Sequence, residues 1–225
     1  MRIPLIIAVA ALASSCVSNG LGYRDHEPSP DVRLAAALEE YEAAELNRIV
    51  ADQGRARNKI EALSFEYPAH VPTLLANGLI SFEEADFVNS QRYLDRLFSV
   101  QAIHPEAALL RSRLALQQGN AAAAEKLLGD HLRHVPDHHG LHEAMAEVYF
   151  LTGRFGEAMT SVAIAEDLGA PDWRMAFNRG LIEETQENLE AAATHYDEAL
   201  KCNPDMSDAE SRLLGVRARL RQQSR

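Results

Sequence analysis

Small residues recur along this chain at a fixed interval of 34 positions. One track runs Ala56, Ser90, Ala124, Ala158 and Ala192, and a second runs Ala44, Gly78, Ser112, Ala146 and Gly180. Around each small residue the apolar positions fall at helical spacing. Ile60, Leu94, Leu128, Val162 and Tyr196 follow the first track by four residues; Leu46, Ile80, Leu114, Val148 and Ile182 follow the second by two. Apolar residues three and four apart make one buried stripe on a helix, and small residues in it let two helix backbones approach closely. A period of this length in such a pattern predicts stacked helix pairs, each burying its apolar face only against its neighbours.

Five units follow in register: residues 37–70, 71–104, 105–138, 139–172 and 173–206. Pro68, Pro136 and Pro204 occupy the same place in their units, with Pro171 one place later, and each stops a second helix. Gly119 and Gly153 mark the turn between the helices of the third and fourth units, and Ala51 takes the equivalent place in the first. The place four residues after Ile60 and its counterparts is less regular, holding Ser64, Phe98, Leu132, Glu166 and Leu200. Ser29-Pro30 reads as a helix start with serine as N-cap and proline in the first turn. Residues 207–225 form a closing helix, opened by Ser207 and Glu210, with Leu213, Leu214, Val216 and Leu220 on one side and arginines on the other.

The fourth unit, with Ala146, Tyr149, Gly153, Ala158 and Ala165, and the fifth, with Gly180, Ala192, Tyr196, Ala199 and Pro204, resemble the tetratricopeptide repeat, and the others resemble it less closely. The resemblance implies an all-α fold: a right-handed superhelical α-solenoid of about five helix pairs over residues 31–206, plus a C-terminal capping helix. It also implies a protein that binds a partner's helix or extended segment and catalyses nothing. In this family the first helices line a concave groove. Carried over place by place, the groove residues are Leu75, Leu79 and Phe82; Leu109, Arg113 and Leu116; Glu143, Glu147 and Phe150; and Phe177 and Leu181. The lysine and asparagine clamp by which some members grip acidic tails has no counterpart, because those places hold Tyr41, Glu45 and Ala76.

The N-terminus carries a signal of a different kind. Residues 1–15 hold Arg2, an apolar core from Ile3 to Ala13, and small residues before Cys16. That core is too short to span a bilayer and fits a secretory signal. Ala13, Ser14, Ser15 and Cys16 resemble the bacterial lipobox, with Leu12 one place earlier than usual. This implies acylation of Cys16 as the first residue of the mature chain. Val17, which is not aspartate, favours the outer membrane by resemblance to the Gram-negative sorting rule. An ordinary cleaved signal and a soluble secreted protein is the competing reading. Residues 16–30 hold the Gly, Ser, Asn and Pro of a flexible tether with a reach of about 20 Å. Lipid-anchored repeat proteins of this layout resemble assembly lipoproteins of type IV and Tad pili, and adaptors of exopolysaccharide export and of cell-wall-hydrolase regulation.

Charge and candidate chemistry narrow the function further. The net charge of −11 argues against nucleic acid, which needs a basic surface. No phosphate-binding glycine loop, nucleophile elbow or cofactor motif is present, so neither a cofactor nor a small-molecule substrate is expected. Cys202 is the only cysteine after Cys16, which leaves no disulfide framework in a processed chain. One cluster supports a reading of another class: His131, His134, His138, His139 and His142, with Asp130 and Asp137 among them. Histidines three apart on a helix can share a metal, so a metal-binding or catalytic protein is the alternative. Side chains lining a solvated turn, with some pH sensitivity, are the plainer account of the same residues.

Overall fold

The computed structural model describes residues 28–223. Eleven α-helices and no strand occur among the described residues. They are α1 (Pro30–Leu46), α2 (Val50–Glu66), α3 (Val71–Glu83), α4 (Phe87–Val100), α5 (Pro105–Gln117), α6 (Ala121–Leu132), α7 (His139–Leu151), α8 (Phe155–Asp167), α9 (Asp172–Thr185), α10 (Leu189–Cys202) and α11 (Ser207–Gln223). They gather into two compact bodies that divide within α5, between Leu114 and Ala115.

The periodic pattern is a burial pattern. All ten small residues of the two tracks are buried. Ile60, Leu94, Leu128, Val162 and Tyr196 are wholly shielded from solvent. In the N-terminal body, Leu34, Leu38, Tyr41, Ile60 and Leu63 pack between α1, α2 and α3, while Leu74, Leu94, Leu97 and Leu110 join α3 to α4 and α5. In the C-terminal body, Val162, Met175 and Ile182 form one cluster, and Leu189, Tyr196, Leu213 and Val216 form another beneath α11.

Turn chemistry sets the length of each pair. Ala85, Gly119, Gly153 and Glu187 stand 34 residues apart, and each has a positive φ between 60° and 74°. Each sits between a first and a second helix, just ahead of the residue that starts the second. Asp86 accepts from the Asn89 N–H at 3.1 Å and Asn120 from the Ala123 N–H at 3.1 Å. The first pair departs from this register. Its left-handed residue is Arg48, at φ 57°, three residues before Ala51. Ala51 therefore lies inside α2 and not at the turn predicted for it, and Leu46 is the last residue of α1. Where Ile80, Leu114, Val148 and Ile182 are buried, Leu46 is exposed.

The irregular places have local causes. Ser64 can be buried because its hydroxyl donates to the Glu61 carbonyl at 2.8 Å. Glu166 pairs with Arg179 across α8 and α9, and that hydrogen bond holds its carboxyl below the ordinary range. On α11, Leu213 and Val216 are buried but Leu214 is exposed. Leu214 thus leaves the apolar side predicted for it. Arg212 reaches Glu184 at 3.0 Å and Arg217 reaches Asp197 at 2.6 Å, pinning α11 to the two helices before it.

Candidate partner-binding groove

The groove residues predicted on the first helices divide by body. In the N-terminal body, Leu75 is fully buried in the core and offers nothing to a partner. Leu79 and Phe82 are half-buried against the same core, and the Phe82 ring lies 5.6 Å from that of Phe87. Their apolar character is accounted for by packing. Leu109 on α5 is half-buried and Arg113 exposed; Leu116, half-buried, belongs to the other body. Tyr41 and Ala76, two of the clamp places, are core residues, and burial pushes the Tyr41 phenol above its ordinary pKa.

In the C-terminal body the prediction converges on one place. Glu143, Glu147 and Phe150 on α7 and Leu181 on α9 line a single open pocket of about 260 Å3. Ala146 and Leu151 of α7, Val162 of α8 and Asn178 and Ile182 of α9 complete its wall. The repeat produces this shape directly. Ala146 is one of the small residues, so α7 and α9 stand on either side of a shallow floor made by Val162. Phe150 also meets Phe155, with ring centroids 6.0 Å apart, and Phe177 meets Tyr196 at 5.7 Å. Phe177 does not line the pocket; it packs on the core beneath α11.

The lining carries two carboxylates, Glu143 and Glu147. Glu143 accepts from Arg174 at 3.1 Å, and the Arg174 guanidinium lies 5.1 Å from the Trp173 ring centroid. A mostly apolar lining with a few polar groups suits recognition of a side chain.

Asn178 and Leu151 are lining residues outside the groove set carried over from the repeat. The place of Asn178 holds Glu42, Ala76, Leu110 and Ala144 in the four preceding units. A polar residue where the three units before it are small or apolar was the available signal.

The histidines do not assemble a site. His131 Nδ1 donates to the Leu127 carbonyl at 2.9 Å and His134 Nδ1 to the Asp130 carbonyl at 2.9 Å. His138 Nδ1 accepts from the Leu141 N–H at 3.3 Å as the N-cap of α7, and His142 Nε2 donates to the Pro136 carbonyl at 2.8 Å. His139 stacks on His138 with centroids 5.9 Å apart. Among the described residues no three His, Cys, Asp or Glu side chains come together in a way that could hold a metal ion. These rings serve a helix end and the helix start after it. Cys16, the expected site of acylation, lies outside the described residues, and no described helix is long and apolar enough to cross a membrane.

Residues 109–172 and 143–207 match the tetratricopeptide repeat family model. The stretch 109–207 is thus built from tetratricopeptide repeats, and its fold is an all-α repeat solenoid suited to protein–protein interaction. A tetratricopeptide repeat protein from Parabacteroides merdae has the same fold, with a TM-score of 0.65 at 19% identity over 94% of this chain and 76% of its own. TTC0263 from Thermus thermophilus gives 0.68 at 16% identity, over 84% of this chain and 98% of its own. YrrB, described as a TPR protein with an unusual peptide-binding site, gives 0.55 at 14% identity, over 78% and 90%. No curated protein matches the sequence.

Proposed function

We propose that the chain is a lipid-anchored adaptor of the cell envelope, held at the outer membrane through Cys16, facing the periplasm and binding another envelope protein without catalysing a reaction. The pocket between α7 and α9 is the observation that carries the partner-binding part of this reading. Its lining is mostly apolar, with Glu143, Glu147 and Asn178 as the polar members, and its volume of about 260 Å3 exceeds the ~150 Å3 that accommodates benzene and falls below the ~300–1,000 Å3 typical of small-molecule sites. One side chain of a helix or extended segment fits that size. YrrB, with its peptide-binding site on the same fold, is a precedent for the ligand class. The signal-like residues before Cys16 support the anchor, and assembly of a pilus or secretion complex is the envelope process favoured here.

The test is a photo-crosslinking residue placed at Phe150 or Leu181 in cells, with exposed Thr160 as the control site. Both groove sites are expected to capture one and the same envelope protein, and the control to capture none. Capture at Thr160 equal to that at the groove would sink the assignment. Mass spectrometry of the mature N-terminus tests the anchor separately: acylated Cys16 is expected, and an unmodified terminus at another residue refutes it.

A further inference from the structure

The turn between α1 and α2 breaks three rules that the other four turns keep. Its left-handed residue arrives three places early, at Arg48. Leu46 is 84% exposed at a place that is buried in every other unit. The residue after the left-handed position is polar elsewhere (Asp86, Asn120, Arg154 and Asn188), but here it is Ile49, whose side chain cannot cap α2. Asp86 and Asn120 cap their helices with a side chain, whereas Arg154 and Asn188 do not, so what sets Ile49 apart is an apolar side chain at an exposed turn. Val50, next along, is 79% exposed and Ile49 44%.

This tip is a defined shape. The Asn47 N–H donates to the Ala43 carbonyl at 3.1 Å, the Arg48 N–H to Glu45 at 3.1 Å and the Ile49 N–H to Ala44 at 2.8 Å. Asp52 and Gln53 both donate to the Ile49 carbonyl, at 3.1 and 3.0 Å. Three aliphatic side chains therefore project from a hydrogen-bonded corner with an exposed arginine at its apex.

We infer that this corner enters the headgroup region of an anionic lipid bilayer, with Leu46, Ile49 and Val50 at the acyl boundary and the Arg48 guanidinium among the phosphates. Three aliphatic side chains expose at most a few hundred Å2, well under the ~1,000 Å2 of a stable protein interface. Arginine complements lipid phosphate in charge and in its planar donor geometry. The inference rests on the anchoring reading in one respect, that anchoring keeps a bilayer within reach. Helix α1 has 17 residues, about 25 Å at 1.5 Å each, and the corner lies at its C-terminal end.

The experiment tethers the chain artificially, so that it does not depend on acylation. A chain whose residues 1–16 are replaced by a hexahistidine tag keeps every described helix and binds nickel-chelating lipid in phosphatidylethanolamine–phosphatidylglycerol vesicles. With Cys202→Ser and Ala51→Cys, an environment-sensitive fluorophore at position 51 reports on the tip; the same fluorophore on native Cys202, which is exposed, is the control. Emission from position 51 is expected to shift to the blue and to be quenched at least twofold by doxyl-labelled lipid, while the control is unchanged. Leu46→Asp with Ile49→Asp, two exposed positions, is expected to abolish the quenching with helical content retained. No quenching at position 51 on vesicle-bound chain overturns the inference. So does equal quenching at both sites, or a concentration-dependent blue shift without vesicles, which would mean contact between copies. An unacylated terminus from cells would refute the anchor while leaving this result standing.

Discussion

Gly180 and Gly78 occupy equivalent places three repeats apart in the sequence, yet alanine has opposite consequences at the two. A Cβ on Gly180 would lie 2.6 Å from Tyr196 Cε1 and 2.7 Å from Cδ1. Carbons in contact prefer ~3.5–4.0 Å, so the ring would have to retreat by about 1 Å. It has nowhere to go. Tyr196 is fully buried, its hydroxyl donates to Glu184 Oε2 at 2.6 Å, and that oxygen also accepts from Arg212 at 3.0 Å. Burial first and the Glu184 carboxylate second push this phenol far above its ordinary pKa, so it stays a donor. Overpacking costs about 1–3 kcal/mol, and alanine's better helix propensity offsets about 1 kcal/mol of that. Gly180→Ala is therefore expected to destabilise the C-terminal body by up to about 2 kcal/mol.

At Gly78 the added Cβ would meet Leu94 Cδ2 at 3.5 Å and Leu110 Cδ2 at 3.6 Å, which is ordinary contact. Gly78→Ala should stabilise by up to about 1 kcal/mol through propensity alone. Helix arrays unfold unevenly, so the assay is hydrogen exchange read separately over α3–α4 and α9–α10, beside urea unfolding followed by circular dichroism. A double-mutant cycle isolates the cause. In a Tyr196→Leu background the loss from Gly180→Ala should vanish or change sign. If Gly180→Ala stabilises as much as Gly78→Ala with Tyr196 in place, the ring is not a fixed wall and the steric account fails.

Other substitutions test the turns and the ion pairs. Ala85 holds a left-handed conformation that costs a non-glycine residue about 1–2 kcal/mol, partly offset by the freedom glycine brings to the unfolded chain. Ala85→Gly should accordingly raise stability by about 0.5–1 kcal/mol in thermal or urea unfolding, whereas Gly119→Ala and Gly153→Ala should each lower it by about 1 kcal/mol. Because Arg179 depresses the Glu166 carboxyl, their pairing contributes above the unfolded carboxylate value near 4.5 and is lost as pH falls through the lower folded value. Water screens a pair this close to the surface, so Glu166→Gln should cost about 0.5–1 kcal/mol at pH 7 and less at pH 3. An equal loss at both, read from urea unfolding, would show that the charge is not responsible.

What the sequence made legible was whatever the stack enforces. Ala158 and Val162 had to be small and apolar to fit between helices, so their spacing disclosed both the helices and the burial. The groove was half legible. Glu143, Glu147, Phe150 and Leu181 reach one pocket, but the same carry-over named Leu75, which the core consumes, and Phe177, which packs under α11. Place in a repeat identifies a helix face only approximately, because a solenoid helix buries two faces and an apolar residue at their border can belong to either. The histidines follow the plainer of the two accounts given for them, as side chains at an interhelix turn. Proximity in sequence at a helix junction brought five rings together, and the orphan backbone groups there claimed His131, His134, His138 and His142.

The first turn shows where a periodic sequence stops being a guide. Counting by 34 placed the turn at Ala51 and Leu46 in the core, since nothing in the residue types contradicted it. The backbone instead closes at Arg48, because the Ile49 N–H reaches the Ala44 carbonyl and ends α1 one turn sooner. An internal unit could not tolerate this, since the next pair would meet a turn out of step with its own. The terminal pair has a neighbour on one side only and is free to slip. Departures from register are thus permitted where the stack ends, and there an apolar residue freed from packing is available to meet something other than the protein itself.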